Sequence, residues 1–351
     1  MKILHVITSL RTGGAEKLMV DLLPRMQREG HQVDLCVFDG VRTPFYEELE
    51  EKGIRIFPLH KAGGIYSVLN IVKLIPLMKG YDIVHAHNTA AQIFSVVANG
   101  FVKTRLVTTE HNTNNRRRRL WWFRTLDKWM YKHFYKIICI SEETKHALLD
   151  YLGKNEDDER FVVVYNGINV SNYSIPKKKG EGYTIMMIAA FRWEKDQKTV
   201  IRALEELEAP YHVWFVGGGD EKLIRENVNL SKELGVESRV QMLGVRNDIP
   251  SLLAQADVVV QSSFVDGFCL AAIEGMASGT PVVVSDIPGV GDIVRGFGVL
   301  FPVGDYRSLA REIKRLCENK VYAAQVAERC QQRARMFDIE VMVKKYMDLY
   351  L

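Results

Sequence analysis

Short apolar runs rich in Val and Ile alternate along the chain with longer amphipathic segments. The first cycle has an apolar run at 3–8, a turn at Gly13 and Gly14, a helical pattern at 15–28 and a second apolar run at 32–38. Apolar strands separated by helices are typical of a parallel sheet that is covered on both faces. The pattern therefore predicts an α/β fold.

The same alternation continues and then restarts in the second half of the chain. In the first half, further strands are predicted at 54–58, 82–87, 106–110, 136–140 and 161–164. Polar residues, Pro and Gly replace the apolar pattern over 170–182, which indicates a linker. After it, strands are predicted at 184–189, 212–216, 239–243, 258–261 and 281–284. We expect two Rossmann-like, doubly wound domains, 1–170 and 171–335, with the segment 336–351 packing back on the first.

Composition excludes several classes of protein. A chain of 351 residues can bury two cores, and a net charge of +4 indicates neither a nucleic-acid binder nor a disordered chain. The five cysteines form no C-x-x-C pair and are predicted to be reduced core thiols. The amino terminus is too polar for a secretory signal, and no apolar stretch reaches the roughly 20 residues of a membrane helix. We therefore expect a cytoplasmic protein.

Residues that follow predicted strands are the first candidates for a site, because ligands bind beyond the carboxyl ends of parallel strands. Gly13 and Gly14 follow the first strand and open a helix, where bare backbone can approach a phosphate. A turn that needs glycine only for a positive φ explains them as well. A nicotinamide dehydrogenase would carry G-x-G-x-x-G here, which the chain lacks, so Asp39 after the second strand is more simply a turn residue.

Two histidines close predicted strands of the first half. His87 ends the run 82–87 and His111 follows 106–110, so both are expected to project at the ligand-facing edge of the sheet. The polar loop after His111 favours a site role for that residue. For His87 a site role and a structural role remain open.

Four consecutive arginines at 116–119, which include Arg117 and Arg118, precede Trp121 and Trp122. Cations on lipid phosphates with Trp at the interface suit an anionic membrane surface. An amphipathic helix with solvated arginines is the simpler alternative. Because two adjacent Trp side chains do not easily face one core, we favour membrane contact.

The second half places cations and glycines after its first two strands. Arg192 and Lys195 precede a helix, where the helix dipole disfavours cations unless an anion is present. A leaving diphosphate is such an anion, and neutralising its charge is a large catalytic contribution. Gly218, at the centre of a three-glycine turn, gives close access to backbone.

The most informative stretch covers residues 263–285. It contains a loop, a helix at 270–277, a glycine stop and a strand, and Glu274 lies in the helix, about two turns beyond Asp266. The loop carries the candidate ligand contacts Ser263, Asp266, Gly267 and Phe268. A carboxylate among Ala, Ile and Met is unfavourable when buried without a partner, so Glu274 is expected to bind a polar group such as a ribose.

With these motifs the chain resembles the retaining glycosyltransferases of family 4, which have the GT-B fold of two Rossmann-like domains facing across a cleft. The resemblance covers nearly the whole chain and is most specific over 263–285. It implies an acceptor-binding first domain, a second domain that binds the nucleotide sugar, and no obligatory metal or other cofactor.

Carried over by position, the resemblance implies that Gly13 and Gly14 approach the diphosphate and that His111 meets the transferred sugar. Lys195 would neutralise the leaving phosphates, and Glu274 would hold the ribose hydroxyls. Gly218, Ser263, Gly267 and Phe268 complete the expected donor contacts.

The chain departs from the family pattern at two positions. Asp266 stands where the first Glu of the E-x7-E motif contacts the donor sugar, and its carboxylate is set back by one methylene. Ala190 stands where the family commonly has an arginine on the phosphates. Arg192, two residues later, is the candidate replacement.

The expected reaction is transfer of a hexose from a UDP-linked donor, with retention, to a lipid-linked or growing glycan, as in bacterial surface polysaccharide assembly. The enzyme is expected to contact the inner face of the plasma membrane and no nucleic acid. A sugar-nucleotide epimerase or hydrolase is one alternative reading. A noncatalytic protein that binds nucleotide sugars is the other.

Overall fold

The computed structural model of the chain describes residues 1–11, 13–111, 121–178 and 180–351, without the side chains of residues 121 and 122. Internal contacts divide the chain into two compact units. The first contains Met1–Asn166 together with Ile339–Leu351, and the second contains Gly167–Asp338.

The first unit is built on a parallel sheet. Its strands are β1 (Lys2–Ile7), β2 (Gln32–Asp39), β3 (Arg55–His60), β4 (Ile83–His87), β5 (Arg105–Glu110), β6 (Lys136–Cys139) and β7 (Phe161–Val163). Its helices up to the second unit are α1 (Gly14–Arg28), α2 (Pro44–Glu51), α3 (Leu69–Met78), α4 (Thr89–Val102), α5 (Trp121–Tyr131) and α6 (Glu142–Leu152). Among the described residues the strand order is β3-β2-β1-β4-β5-β6-β7.

The second unit repeats this plan. Its strands are β8 (Tyr183–Ile188), β9 (Tyr211–Val216), β10 (Val240–Gly244), β11 (Val258–Gln261), β12 (Val282–Ser285) and β13 (Val299–Phe301). Its helices are α7 (Gln197–Glu205), α8 (Glu221–Glu233), α9 (Ile249–Leu253), α10 (Leu270–Ala277), α11 (Val290–Val294), α12 (Tyr306–Glu318) and α13 (Lys320–Ala334). The described strands are parallel in the order β10-β9-β8-β11-β12-β13.

The last helix, α14 (Ile339–Tyr350), belongs to the first unit. Met342, Tyr346 and Tyr350 are buried in the same apolar cluster as residues of β1 and α1. A second buried cluster contains residues of α3, α4 and α6. Apolar cores of this kind on a parallel sheet explain why the inner strands β1, β2, β4, β5 and β6 consist almost entirely of buried residues.

The predicted α/β class with two Rossmann-like domains is confirmed, and the predicted strands agree with the structure to within one or two residues at their ends. The exception is β13, which was not predicted, because its short apolar run is enclosed by the turn residues Gly298 and Pro302. All five cysteines are free thiols in buried positions, as expected. In the described part of the chain, no helix has both the length and the apolar character needed to cross a membrane.

Candidate active site

The strand order of each sheet reverses next to the first strand of its unit. In the first sheet β1 lies between β2 and β4, and in the second β8 lies between β9 and β11. Open α/β sheets bind ligands beyond the carboxyl ends of the strands at such a reversal. The residues that follow β1, β4, β8 and β11 are therefore the candidate site residues.

Gly13 and Gly14 lie at the reversal of the first sheet, where Gly14 begins α1. Neither glycine has a positive φ, so the turn explanation for this pair is wrong. A Cβ on Gly14 would have no heavy atom within 4 Å, whereas a Cβ on Gly13 would lie 2.2 Å from a carboxylate oxygen of Glu16. Because a Cβ on Gly14 would contact nothing, packing in the free protein does not require glycine at position 14. Burial raises the pKa of the Glu16 carboxyl that lies beside Gly13.

His87 is the last residue of β4, at the predicted end of the strand, but its side chain is fully buried and does not project to the surface as expected. Its Nδ1 lies 3.2 Å from Nε2 of His111, and its Nε2 lies 3.0 Å from Nδ1 of His5. His111 is half-buried and occupies the edge position. The structure therefore places His87 behind His111.

A third buried histidine joins this cluster from β4. The ring of His85 stacks on that of His87 with 4.3 Å between the ring centroids. Its Nδ1 bonds to the hydroxyl of Tyr350, and its Nε2 lies 2.8 Å from Oγ1 of Thr109, which also contacts the hydroxyl of Tyr346 at 3.2 Å. Helix α14 thus supports the histidine cluster from within the first unit.

Burial keeps the rings of this cluster neutral. It lowers the pKa of His5 to about 3 and that of His111 to about 4. The pKa values of His85 and His87 are also far below the usual range, first through burial and then through repulsion from neighbouring histidines. A histidine with such a pKa is uncharged at physiological pH.

Lys195 and Asp266 meet at the reversal of the second sheet. Nζ of Lys195 donates to Oδ2 of Asp266 and lies 3.4 Å from Oγ of Ser263. Burial opposes the charge on Lys195, but the sulfur of Cys269 and the carboxylate of Asp266 outweigh this, and the pKa of Lys195 is raised. Because burial raises the pKa of Cys269 as well, its thiol is neutral at physiological pH. The negative partner of Lys195 is therefore Asp266.

The loops that carry this ion pair are fastened to each other. The N–H of Asp196 donates to the carbonyl of Ser262 over 3.0 Å, and the N–H of Ser263 donates to Oγ of Ser285 over 3.0 Å. Asp196 also caps α7 by accepting from the N–H of Thr199. The sequence analysis missed Asp196 and Ser285 as positioning residues. An Asp directly before a helical pattern is a cap signal that identifies the first of them.

The three-glycine turn after β9 packs tightly on the loop after β8. Gly217 and Gly219 have φ values of 146° and 152°. A Cβ on Gly217 would lie 2.3 Å from the carbonyl oxygen of Ala189, and a Cβ on Gly219 would lie 2.4 Å from the carbonyl oxygen of Phe191. The predicted residue, Gly218, is less restricted, because its φ is not positive. The flanking glycines therefore set the shape of this turn.

The other predicted residues of these loops are placed as follows. Arg192 is exposed, and its side chain has no hydrogen bond or ion pair to a described residue, although its carbonyl accepts from the N–H of Lys195. Gly267 is half-buried. The half-buried ring of Phe268 meets that of Phe337 edge to face, with 6.0 Å between centroids. Arg192 is thus available to an anionic ligand.

Glu274 lies on α10, whose bounds are as predicted, but it is half-buried and has a protein partner. The hydroxyl of Tyr173 donates to its Oε1 over 2.8 Å. The polar partner that the sequence analysis expected for this carboxylate is thus supplied, in the free protein, by Tyr173. Tyr173 lies in the stretch assigned to the linker, where no sequence signal identified it.

The predicted membrane residues cannot be placed in this site. Arg117 and Arg118 lie outside the described residues, and so do the side chains of Trp121 and Trp122.

Two families match successive parts of the chain. Residues 12–172 match the family described as Glycosyltransferase Family 4, and residues 172–337 match Glycosyl transferases group 1. Among curated proteins, the chain is 23% identical to the Escherichia coli UDP-Gal:alpha-D-GlcNAc-diphosphoundecaprenol alpha-1,3-galactosyltransferase, over 100% of the chain and 97% of that protein. It is also 23% identical to the phosphatidyl-myo-inositol mannosyltransferase of Mycobacterium leprae, over 96% and 92%.

Solved structures share the fold. HepE of Anabaena, crystallised in complex with UDP, has a TM-score of 0.86 and 22% sequence identity, with 99% of each chain covered.

Proposed function

Because the chain belongs to the family 4, group 1 glycosyltransferases of GT-B fold, we propose that it transfers a hexose from a UDP-linked donor to a lipid-linked or growing glycan, with retention. The observation that carries the proposal is the pairing of Lys195 with Asp266 where the strand order of the second sheet reverses. A cation held there is suited to the negative charge that develops on a leaving diphosphate.

In the proposed reaction, the bond between the anomeric carbon and the diphosphate oxygen breaks, and the acceptor oxygen bonds to the same face of that carbon. The acceptor proton passes to the departing diphosphate, which leaves as a nucleoside diphosphate. The ammonium of Lys195 has three N–H donors, so it can bind a phosphate oxygen while it remains bonded to Asp266. The reaction then needs no metal or other cofactor to neutralise the diphosphate.

The remaining contacts with the nucleotide-sugar donor are proposed from the positions of residues within each unit. Glu274, restrained by Tyr173, is proposed to accept hydrogen bonds from the ribose hydroxyls. Gly14 offers bare backbone at the start of α1, where the helix dipole favours a phosphate. Arg192 is proposed as the second cation on the diphosphate, in place of the arginine absent at Ala190. His111 is proposed to contact the transferred sugar.

The test is transfer from a panel of UDP-hexoses to undecaprenyl-diphosphate-linked sugars, with the anomeric configuration of the product read by proton NMR. Retention supports the mechanism, and inversion rejects it. Lys195→Ala should abolish transfer, and Arg192→Ala should reduce it; normal activity of Arg192→Ala rejects its role. Free sugar or an isomer of the donor without acceptor would identify a hydrolase or epimerase. Tight UDP binding with no turnover would identify a noncatalytic binding protein.

We further propose that the first unit contacts the cytoplasmic membrane face, since the names of the two curated relatives above give diphosphoundecaprenol-linked GlcNAc and phosphatidyl-myo-inositol as their substrates. An exposed apolar surface supports this contact. It is formed by Tyr66, Val68, Leu69 and Val72, the last of which is 64% exposed, and is called the α3 surface below. Residues 61–81 contain three lysines and no acidic residue, which suits anionic lipid.

Flotation with phosphatidylglycerol vesicles tests this contact. Leu69→Glu with Val72→Glu should remove binding, because each places a carboxylate against anionic lipid. Val321→Glu, on α13 and 71% exposed, is the matched control that should still float. Equal flotation of both variants would reject the α3 surface as the contact.

A further inference from the structure

Three histidines form a hydrogen-bonded row that ends at the candidate sugar contact. In the pair His5 and His87 the nitrogens are 3.0 Å apart and the ring centroids 5.3 Å apart. In the pair His87 and His111 the corresponding distances are 3.2 Å and 5.5 Å. In both pairs the centroid separation exceeds the nitrogen separation by about twice the distance from an imidazole centroid to its ring nitrogen, so the two nitrogens lie almost on the line between the centroids. Each contact therefore has the geometry of a linear N–H···N hydrogen bond.

This geometry favours a proton row over a metal site. The ligand nitrogens of His5, His85 and His87 lie within 4.8 Å of one another, close enough for one ion. A metal, however, needs lone pairs that converge on one point, whereas the nitrogens of His5 and His87 point at each other. Both nitrogens of His85 are also bonded, to Tyr350 and Thr109.

The direction of the protons follows from the buried end of the row. Each ring is neutral and has one N–H, so the protons must all point the same way along the row. Nε2 of His5 is buried and has no hydrogen-bond partner among the described residues. A proton there would be a buried donor without an acceptor, which is rarer in proteins than a buried acceptor without a donor. The proton of His5 is therefore on Nδ1, directed at His87.

We propose that His5 and His87 are positioning residues that hold His111 in the tautomer with its proton on Nδ1. His87 donates from Nδ1 to Nε2 of His111, which leaves the Nδ1–H of His111 as a hydrogen-bond donor for a ligand oxygen. His111 then acts as a fixed donor, not as a base. The identity of that oxygen as one of the transferred hexose rests on the proposed function, and the tautomer itself does not.

The tautomer is read directly from multiple-bond 1H–15N correlation spectra of the full chain labelled with [15N]histidine, at neutral pH and without ligand. The His111 signals are assigned by their loss in His111→Asn. The expected pattern is a neutral ring protonated on Nδ1. A neutral ring protonated on Nε2 in the wild-type protein overturns the proposal, whether or not any variant folds.

Variants test the row itself. His87→Phe removes the donor to His111, so the ring should shift toward the Nε2–H tautomer. The exposed His146 is the control, and His146→Gln should leave the His111 pattern unchanged. An unchanged His111 tautomer in folded His87→Phe overturns the positioning role of His87. If the purified protein contains stoichiometric metal and His5→Ala does not, the proposed hydrogen-bonded row is also overturned.

The result separates the two proposals. Because the spectra are recorded without ligand, a failed tautomer prediction leaves glycosyl transfer untouched. Likewise, absence of transfer in every assay leaves the tautomer assignment standing.

Discussion

The hydroxyl of Tyr173 donates a 2.8 Å hydrogen bond to Oε1 of Glu274, which joins the segment before β8 to helix α10. A carboxylate oriented by a protein donor needs less ordering when a ligand binds. The proposed ribose contact is thus prepared before the donor arrives.

Tyr173→Phe removes only this hydroxyl and should weaken UDP binding about fivefold, equivalent to about 1 kcal/mol, the typical net contribution of one hydrogen bond. Glu274→Gln should weaken it further, because the charged acceptor itself is lost. Calorimetric titration with UDP measures both effects. Tyr322→Phe, on α13, is the control. Equal affinity of Tyr173→Phe and wild type would show that Tyr173 does not prepare Glu274.

Asp266→Asn leaves the largely buried ammonium of Lys195 without its negative partner and should lower the free energy of unfolding by about 3 kcal/mol. The pKa of Lys195 is raised in the folded protein. The stabilisation is therefore complete below the unfolded pKa of about 10.4 and is lost as pH rises through the folded value. Urea unfolding should show a constant difference in the free energy of unfolding between Asp266→Asn and wild type near neutral pH. This difference should become smaller above about pH 10.

The control for this ion pair is Asp286→Asn. Asp286 pairs with Arg295 over 2.6 Å, but both side chains are about half-exposed. Its loss should cost at most about 1 kcal/mol. A similar loss of unfolding free energy in Asp266→Asn and Asp286→Asn would contradict the larger contribution expected from the buried pair of Lys195 and Asp266.

Gly14→Ala tests whether backbone at the start of α1 is kept bare for a ligand. The added Cβ meets no atom within 4 Å, so the urea midpoint should not fall. If a phosphate approaches there, the KM for the UDP-hexose should rise about tenfold, equivalent to about 1.4 kcal/mol. Gly219→Ala is the contrasting variant, because its Cβ would collide with Phe191 and should destabilise the second unit. An unchanged KM for Gly14→Ala would reject the diphosphate contact.

The histidine cluster should make the first unit sensitive to acid. Burial lowers the pKa values of His5, His85, His87 and His111, whereas in the unfolded chain each is about 6.5. Below that value the unfolded state binds more protons, so stability is full above about pH 6.5 and falls as pH falls, by up to about 1.4 kcal/mol per pH unit for each ring. The neighbouring Tyr346 and Tyr350, with raised pKa values, stay neutral in this range.

Urea unfolding between neutral pH and about pH 5 measures this slope. His146→Gln, at an exposed position, should leave it unchanged. His5→Gln should reduce the pH dependence of the unfolding free energy by about the contribution of one histidine. A slope indistinguishable from zero would mean that the buried histidines are charged or that the cluster opens before the unit unfolds.

Local sequence determined the elements of this protein. The alternation of apolar runs and amphipathic helices is a property of consecutive residues, so it predicted the strands, the two Rossmann-like domains and the exact bounds of α10. It failed at β13, where the apolar run of three residues is bounded by Gly298 and Pro302, whereas the run at β7 continues into Val164 and was predicted. Residues in the loops after strands, such as His111 and Lys195, were predicted as site residues because a parallel sheet brings the carboxyl ends of its strands to one edge.

Contacts between distant residues were decided only by the tertiary structure. Placing β1 beside β4, and β4 beside β5, brings His5 opposite His85 and His87 opposite Thr109, which buries His87 behind His111. Tyr173 reaches Glu274 across 101 positions of sequence in the same way. The physical reason is that a strand's own pattern states which residues are apolar, whereas strand order and register decide which side chains meet.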